Sequence, residues 1–107
     1  MAYQHIPAST FGKQFEEEKN NYVFVDVRTQ EEFDDAHVEN SIHIPYDEME
    51  HRYEELASYK QKNILLICRS GMRSQVAAQI LAEQGFEKLF NLEGGLLEWT
   101  GRLHSDK

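Results

Sequence analysis

The sequence predicts an α/β fold, with a central parallel β-sheet flanked by helices on both faces. Two apolar runs carry this expectation. Tyr22-Val23-Phe24-Val25-Asp26-Val27 and Ile64-Leu65-Leu66-Ile67 have the β-branched and aromatic content of strands. The second run is continuous rather than alternating, as in a strand covered on both sides. Helix signals fall between the strands, and that alternation makes parallel βαβ units. At 107 residues, positions 1–107 are expected to form a single domain.

Each element has its own local cause. Ser9 or Thr10 is placed to cap a first helix running through Lys19. Asn20-Asn21 and Thr29 bound the strand at 22–27, and Thr29-Gln30-Glu31-Glu32 has the form of a capping box. Ser41-Ile42-His43-Ile44 is a shorter strand candidate, and Asp47 with Glu50 is a looser cap for an acidic helix. Residues 74–84 place Val76, Ala77, Ile80 and Leu81 on one helical face, and Gly85 sits where a left-handed cap ends it. Lys88-Leu89-Phe90-Asn91-Leu92 supplies a last strand. In such sheets ligands bind beyond the carboxyl ends of the strands.

Composition excludes several classes. One cysteine closes no intramolecular disulfide, so a stapled secreted scaffold is ruled out. No Cys/His cluster has zinc spacing, and neither a metal nor another cofactor is expected. The longest apolar run, Ile64-Leu65-Leu66-Ile67-Cys68, falls far short of the roughly 20 residues that span a bilayer. The N-terminus has neither a basic start nor an apolar stretch. A cytoplasmic protein without membrane attachment is expected. The net charge of −8, from 11 Lys and Arg against 19 Asp and Glu, disfavours a nucleic-acid partner. Acidic runs such as Glu16-Glu17-Glu18 read as solvated helical faces. Nothing in the pattern sets an oligomeric state.

Chemistry concentrates after the buried strand, in Cys68-Arg69-Ser70-Gly71-Met72-Arg73-Ser74. A lone cysteine on a strand-to-helix turn reads equally as a buried structural thiol or as a nucleophile. Its neighbours favour the second. Orphan N–H groups and the positive dipole end at a helix start attract an anion. Arg69 and Arg73 add charge, and the same field favours the thiolate over the thiol. Ser70 and Gly71 allow a close backbone approach, with successive N–H groups forming an anion nest. Met72 reads either as a ligand contact at the rim or as the first core-facing residue of the helix. Asp26 and Arg28 are expected to pair and hold loops together. His37 and His43 are expected in loop hydrogen bonds, Gly94-Gly95 in a turn. Trp99 is expected to pack a terminal helix on the core with its indole N–H at a partner.

Taken together, these residues resemble the rhodanese family of sulfurtransferases. Cys68 to Arg73 matches its Cys-x4-Arg loop. Val25-Asp26-Val27-Arg28, followed by Glu32 and Phe33, resembles its first signature. Ala36-His37-Val38-Glu39-Asn40-Ser41-Ile42-His43-Ile44-Pro45 resembles its second, with Ala36 in place of glycine and His43 in place of asparagine. Leu92-Glu93-Gly94-Gly95-Leu96-Leu97-Glu98-Trp99 resembles its C-terminal segment. The resemblance implies a rhodanese-like domain in which Cys68 takes a sulfane sulfur from a small-molecule donor such as thiosulfate. It implies that a thiol or protein acceptor, or cyanide, then removes the sulfur from a Cys68 persulfide. Arg69, Ser70, Gly71, Met72 and Arg73 would form the substrate pocket. Ala36 for glycine predicts a differently shaped turn before His37. Two alternatives carry other functions: a phosphatase or arsenate reductase, whose loops follow the longer Cys-x5-Arg pattern, and a non-catalytic interaction module, which the cysteine and both arginines argue against.

Overall fold

The computed structural model describes residues 3–105. Five strands, β1 (Gln4–Pro7), β2 (Val23–Asp26), β3 (Ile42–His43), β4 (Ile64–Ile67) and β5 (Leu89–Glu93), pair in parallel in the order β1-β5-β4-β2-β3. Strand side chains alternate between faces, and β4 therefore feeds two cores. Ile64, Leu66 and Cys68 join Val25, Val27 and Leu89 beneath α4 (Met49–Arg52) and α5 (Arg73–Glu83). Leu65 and Ile67 join Phe24 and Leu92 beneath α1 (Ala8–Phe11) and α2 (Phe15–Glu18). The expected α/β sheet covered on both faces is the observed one.

The capping box forms as read. The Thr29 side chain accepts from the Glu32 N–H, the Glu32 carboxylate accepts from the Thr29 N–H, and α3 (Gln30–Asp35) follows. Gly85 adopts φ +91° behind α5. The second expected cap does not form. Pro45 and a 3-10 turn over Tyr46–Glu48 precede α4, and Asp47 makes no side-chain cap. The Tyr46 N–H, bound to Val27 O at 2.9 Å, has already directed the chain.

The first helix is also broken where one continuous helix through Lys19 is expected. Two single turns, α1 and α2, each run into a 3-10 turn, and neither Ser9 nor Thr10 caps. The Thr10 hydroxyl instead donates to Pro7 O at 3.1 Å. Gly12, a poor helix former, lies at the break because a Cβ there would stand 2.7 Å from Thr100 Oγ1. Strand β1 carries no strong sequence signal. It is a short, half-exposed edge strand ending in proline, which a sheet accepts only at such an edge.

Smaller differences follow from packing. Val76 is half exposed, and the buried stripe of α5 is Ser74, Ala77, Ala78 and Leu81. Small residues there let the helix lie close to β4 and β5. Ala36 takes φ −164°, ordinary extended backbone, so alanine is accommodated without strain. Trp99 follows a 3-10 turn (Gly95–Glu98) rather than ending a helix, and it packs against Phe11 and Phe15. Among the described residues its buried Nε1 lacks the expected hydrogen-bond partner, and the indole packs in an aromatic cluster. No helix among the described residues is long and apolar enough to cross a membrane.

Candidate active site

Cys68 is the first residue beyond β4, fully buried at the floor of a turn that ends in α5. Gly71 makes the turn possible. Its φ of +91° is open to glycine at little cost, and it aims the Gly71 N–H at Cys68 Sγ, 2.8 Å away. The Ser74 hydroxyl, one residue into α5, lies 3.5 Å from the same sulfur. The sulfur thus faces a backbone donor and a hydroxyl at the start of an 11-residue helix. That is the electropositive end of the helix macrodipole.

The two arginines differ. Arg73 directs both terminal nitrogens at Glu32, at 3.2 Å each. This pair ties the start of α3 to the start of α5 and raises the guanidinium's affinity for its proton. Burial alone would raise the Glu32 carboxyl. The Arg73 hydrogen bond, the Thr29 backbone and hydroxyl, and the Arg73 charge outweigh it and bring the carboxyl down to about 2. The Tyr46 ring flanks Arg73, 5.9 Å from the guanidinium carbon. Arg69 is exposed and has no ionic partner among the described residues. It lines a cavity of about 240 Å³ with Arg28, Glu32, Asp35, Ala36, Leu96 and Leu97. Ser70 is exposed on the turn, and Met72, 67% exposed, stands at its rim rather than in the core.

The turn is walled by the segment after β5. Leu96 N–H donates to Cys68 O and Leu97 N–H to Arg69 O, both at 3.0 Å. A Cβ on Gly95 would stand 2.4 Å from each of those two carbonyl oxygens. Gly94-Gly95 is therefore more than a turn requirement: it is where a second chain segment presses against the Cys68 loop.

The remaining motif residues hold loops, as expected. Asp26 is fully buried and accepts from Arg28 Nε and Nη2 and from the Arg28 N–H, while Arg28 also donates to Ala36 O. His43 Nε2 lies 2.7 Å from Arg28 O, so histidine makes a loop hydrogen bond at the position of the usual asparagine. His37 Nδ1 lies 2.7 Å from Phe33 O, and the Phe33 ring stacks between His37 and His43. Among the described residues no three His, Cys, Asp or Glu side chains converge as metal ligands would. A second cavity, of about 450 Å³, opens beside Tyr22, Val23 and Ile42, at the opposite end of the strands from Cys68.

Sequence reasoning placed Cys68, Arg69, Ser70, Gly71, Met72 and Arg73 in one loop, and the fold keeps them together. It missed Glu32 as the partner of Arg73, Gly95 as the wall, and Asn91 and His5, which continue a hydrogen-bonded chain from Ser74. Asn91 alone carried a signal, an amide inside an apolar strand.

Comparison with known proteins places this geometry. Residues 5–102 match the rhodanese-like domain. The chain is 37% identical to thiosulfate sulfurtransferase GlpE of Coxiella burnetii, over 76% of this chain and 74% of that protein. It is 42% identical to YrkF, a candidate sulfur carrier protein of Bacillus subtilis, over 73% of this chain, and it spans 41% of YrkF's length. A rhodanese-related protein from Thermoplasma volcanium superimposes with a TM-score of 0.82 at 28% identity, covering 95% of this chain and 98% of that one. With a family model matched over residues 5–102 and relatives of this identity and coverage, the chain belongs to the rhodanese-like domain family.

Proposed function

We propose that the protein is a sulfurtransferase that carries a sulfane sulfur on Cys68. The carrying observation is the placement of Sγ, 2.8 Å from the Gly71 N–H at the positive end of α5. The thiolate attacks the terminal sulfur of thiosulfate or a persulfide. A new S–S bond forms to Cys68, and the old bond breaks with its electron pair leaving on sulfite or the donor thiolate. The outgoing charge is stabilised in its pocket by the loop N–H groups and by Arg69. An acceptor thiolate, or cyanide, then attacks the outer sulfur and restores Cys68. Ser70, Gly71, Met72 and Arg73 complete the pocket. GlpE's name supports thiosulfate as a donor.

Cys68 is the only cysteine in the chain. No second thiol of this chain resolves the persulfide, so transfer passes to another molecule, and a reducing cytoplasmic setting supplies such thiols. Intact-mass measurement tests the reading. Thiosulfate should add one sulfur atom to the wild type, a thiol or cyanide should remove it, and Cys68→Ser should gain nothing. A Cys68→Ser protein that still turns over thiosulfate refutes the mechanism. Hydrolysis of an aryl phosphate at a rate matching sulfur transfer would favour phosphatase chemistry instead.

A further inference from the structure

Both donors that face Cys68 Sγ are backed by β1, the edge strand that carries no sequence signal, and by Tyr3 just before it. On one side the Gly71 N–H donates to Sγ, and Gly71 O accepts from Gln75 Nε2 at 3.0 Å. Gln75 Oε1 in turn accepts from the Tyr3 hydroxyl at 3.0 Å. On the other side Ser74 Oγ touches Sγ and is hydrogen-bonded to Asn91 Oδ1, while Asn91 Nδ2 lies 3.0 Å from His5 Nδ1. The Tyr3 and His5 rings meet edge to face at 5.6 Å. Asn91 is 1% exposed and sits in register with His5 on β1 and Leu66 on β4. A buried amide there is costly unless every polar atom is partnered.

Counting protons gives this chain a direction. The Ser74 hydroxyl has one proton, and Asn91 Oδ1 only accepts. With Oδ1 toward Ser74, that proton is committed to Asn91, and the Ser74 lone pair is free to accept from the Cys68 thiol. Asn91 Nδ2 then donates to an unprotonated His5 Nδ1. All groups are satisfied, but only while Cys68 is a thiol. A thiolate accepts only, so Ser74 must turn its proton to Sγ. Asn91 must then offer its NH₂ to Ser74 and its Oδ1 to His5, and His5 must donate from Nδ1.

We propose that Asn91 and His5 are positioning residues that act on the nucleophile through Ser74. Donating from Nδ1, His5 holds the amide in the orientation that frees the Ser74 hydroxyl for the thiolate. The thiol proton itself leaves to water; the chain changes only its polarity. The proposal rests on Cys68 as the nucleophile and deepens that reading. Around the His5 ring, Tyr3, just before the strand, is the titratable neighbour in contact, β5 presents Asn91, and α5 presents Gln75 to Tyr3.

The test measures alkylation of Cys68 by iodoacetamide, followed by intact mass, in wild type, His5→Phe, Ser74→Ala and the double variant. Phenylalanine keeps the ring shape but neither donates nor accepts. At neutral pH the wild-type rate should exceed that of His5→Phe by about tenfold, the scale of one hydrogen bond to a charged group. In the Ser74→Ala background the difference should vanish, because the route to the sulfur is cut. A His5→Phe rate equal to that of the wild type overturns the proposal. So does a difference that survives Ser74→Ala, since that signals a route to the sulfur other than the Ser74 hydroxyl. Should His5→Phe not fold, His5→Leu on the half-exposed strand makes the same comparison, and His5→Gln, which can still donate, should keep the wild-type rate. Alkylation reads the thiol whether or not the protein transfers sulfur, so failure here and failure of the sulfurtransferase reading are separable.

Discussion

Gly95→Ala is the sharpest test of how the Cys68 loop is held. A Cβ at this position would stand 2.4 Å from Cys68 O and from Arg69 O, where ordinary contact begins at 3.4 Å. Both atoms are backbone, so no flexible side chain can swing away. Either the loop or the 3-10 turn must move by about 1 Å, and a misplacement of that size costs roughly 100-fold in rate at a reacting centre. The same movement strains the Leu96 N–H to Cys68 O and Leu97 N–H to Arg69 O hydrogen bonds, each 3.0 Å, at about 1 kcal/mol apiece. Alanine at φ +58° adds about 1 kcal/mol of backbone strain. The expected result is a folded protein about 2–3 kcal/mol less stable, loading sulfur from thiosulfate roughly 100-fold more slowly. Gly85→Ala is the control. Its φ is also positive, but its nearest neighbour is Lys60 Nζ at 3.7 Å, far from the loop. It should lose stability and keep its rate. Sulfur loading by Gly95→Ala within a few-fold of wild type would refute the argument that this wall sets the position of Cys68.

Two further outcomes follow from the ion pairs. Glu32→Gln should release Arg73 toward an anionic donor and lower the KM for thiosulfate about two- to fivefold, the scale of one partly exposed ion pair. Its pH signature has a definite sign. The Glu32 carboxyl is held at about 2 against an ordinary 4.5; a lowered value adds stability above 4.5 that is lost as pH falls toward 2. Acid titration of the melting temperature should therefore be steeper between those limits in wild type than in Glu32→Gln. Asp26→Ala should cost about 3–5 kcal/mol in urea unfolding, because it leaves the buried Arg28 guanidinium without its carboxylate. A loss below 1 kcal/mol would mean that water or a neighbour replaces Asp26.

What could be read ahead of the fold depended on distance along the chain. The loop from Cys68 to Arg73 was legible because its nucleophile, glycine and arginines are contiguous and lead into a helix. Ile64-Leu65-Leu66-Ile67 was legible because burial on both faces leaves an unbroken apolar run. Glu32 was seen, but only as a cap. The capping box explained the residue locally and left no signal that the same carboxylate clamps Arg73, 41 positions away. Gly95 was likewise absorbed by a turn, although its real constraint is the carbonyl of Cys68. The Asn91 to His5 contact spans 86 positions and ends on a four-residue edge strand. No periodicity marks a strand that short, and a proline at its end argues against it. Val76 was misplaced because helical spacing allows two faces, and only the small Ala77 and Ala78 let α5 lie close to the sheet.

These contacts also decide how a negatively charged chain could capture a negatively charged donor. At a net charge of −8, the long-range field repels small anions, and at physiological ionic strength it is screened beyond about 8 Å. Capture then depends on charge within that range. Arg73 is largely neutralised by Glu32, whose carboxyl stays ionised down to about pH 2. Arg69, which has no ionic partner among the described residues, is left as a cation beside the cleft, and the fixed N–H groups at the start of α5 supply the rest. Backbone donors cannot be screened away or rotated out, because Gly71 is held by Gln75 on one side and the neighbouring carbonyls by Leu96 and Leu97 on the other. An anion held this way is selected by shape at the loop more than by attraction from solution. The rate of sulfur loading should therefore depend weakly on added salt, and strongly on any substitution that moves the loop.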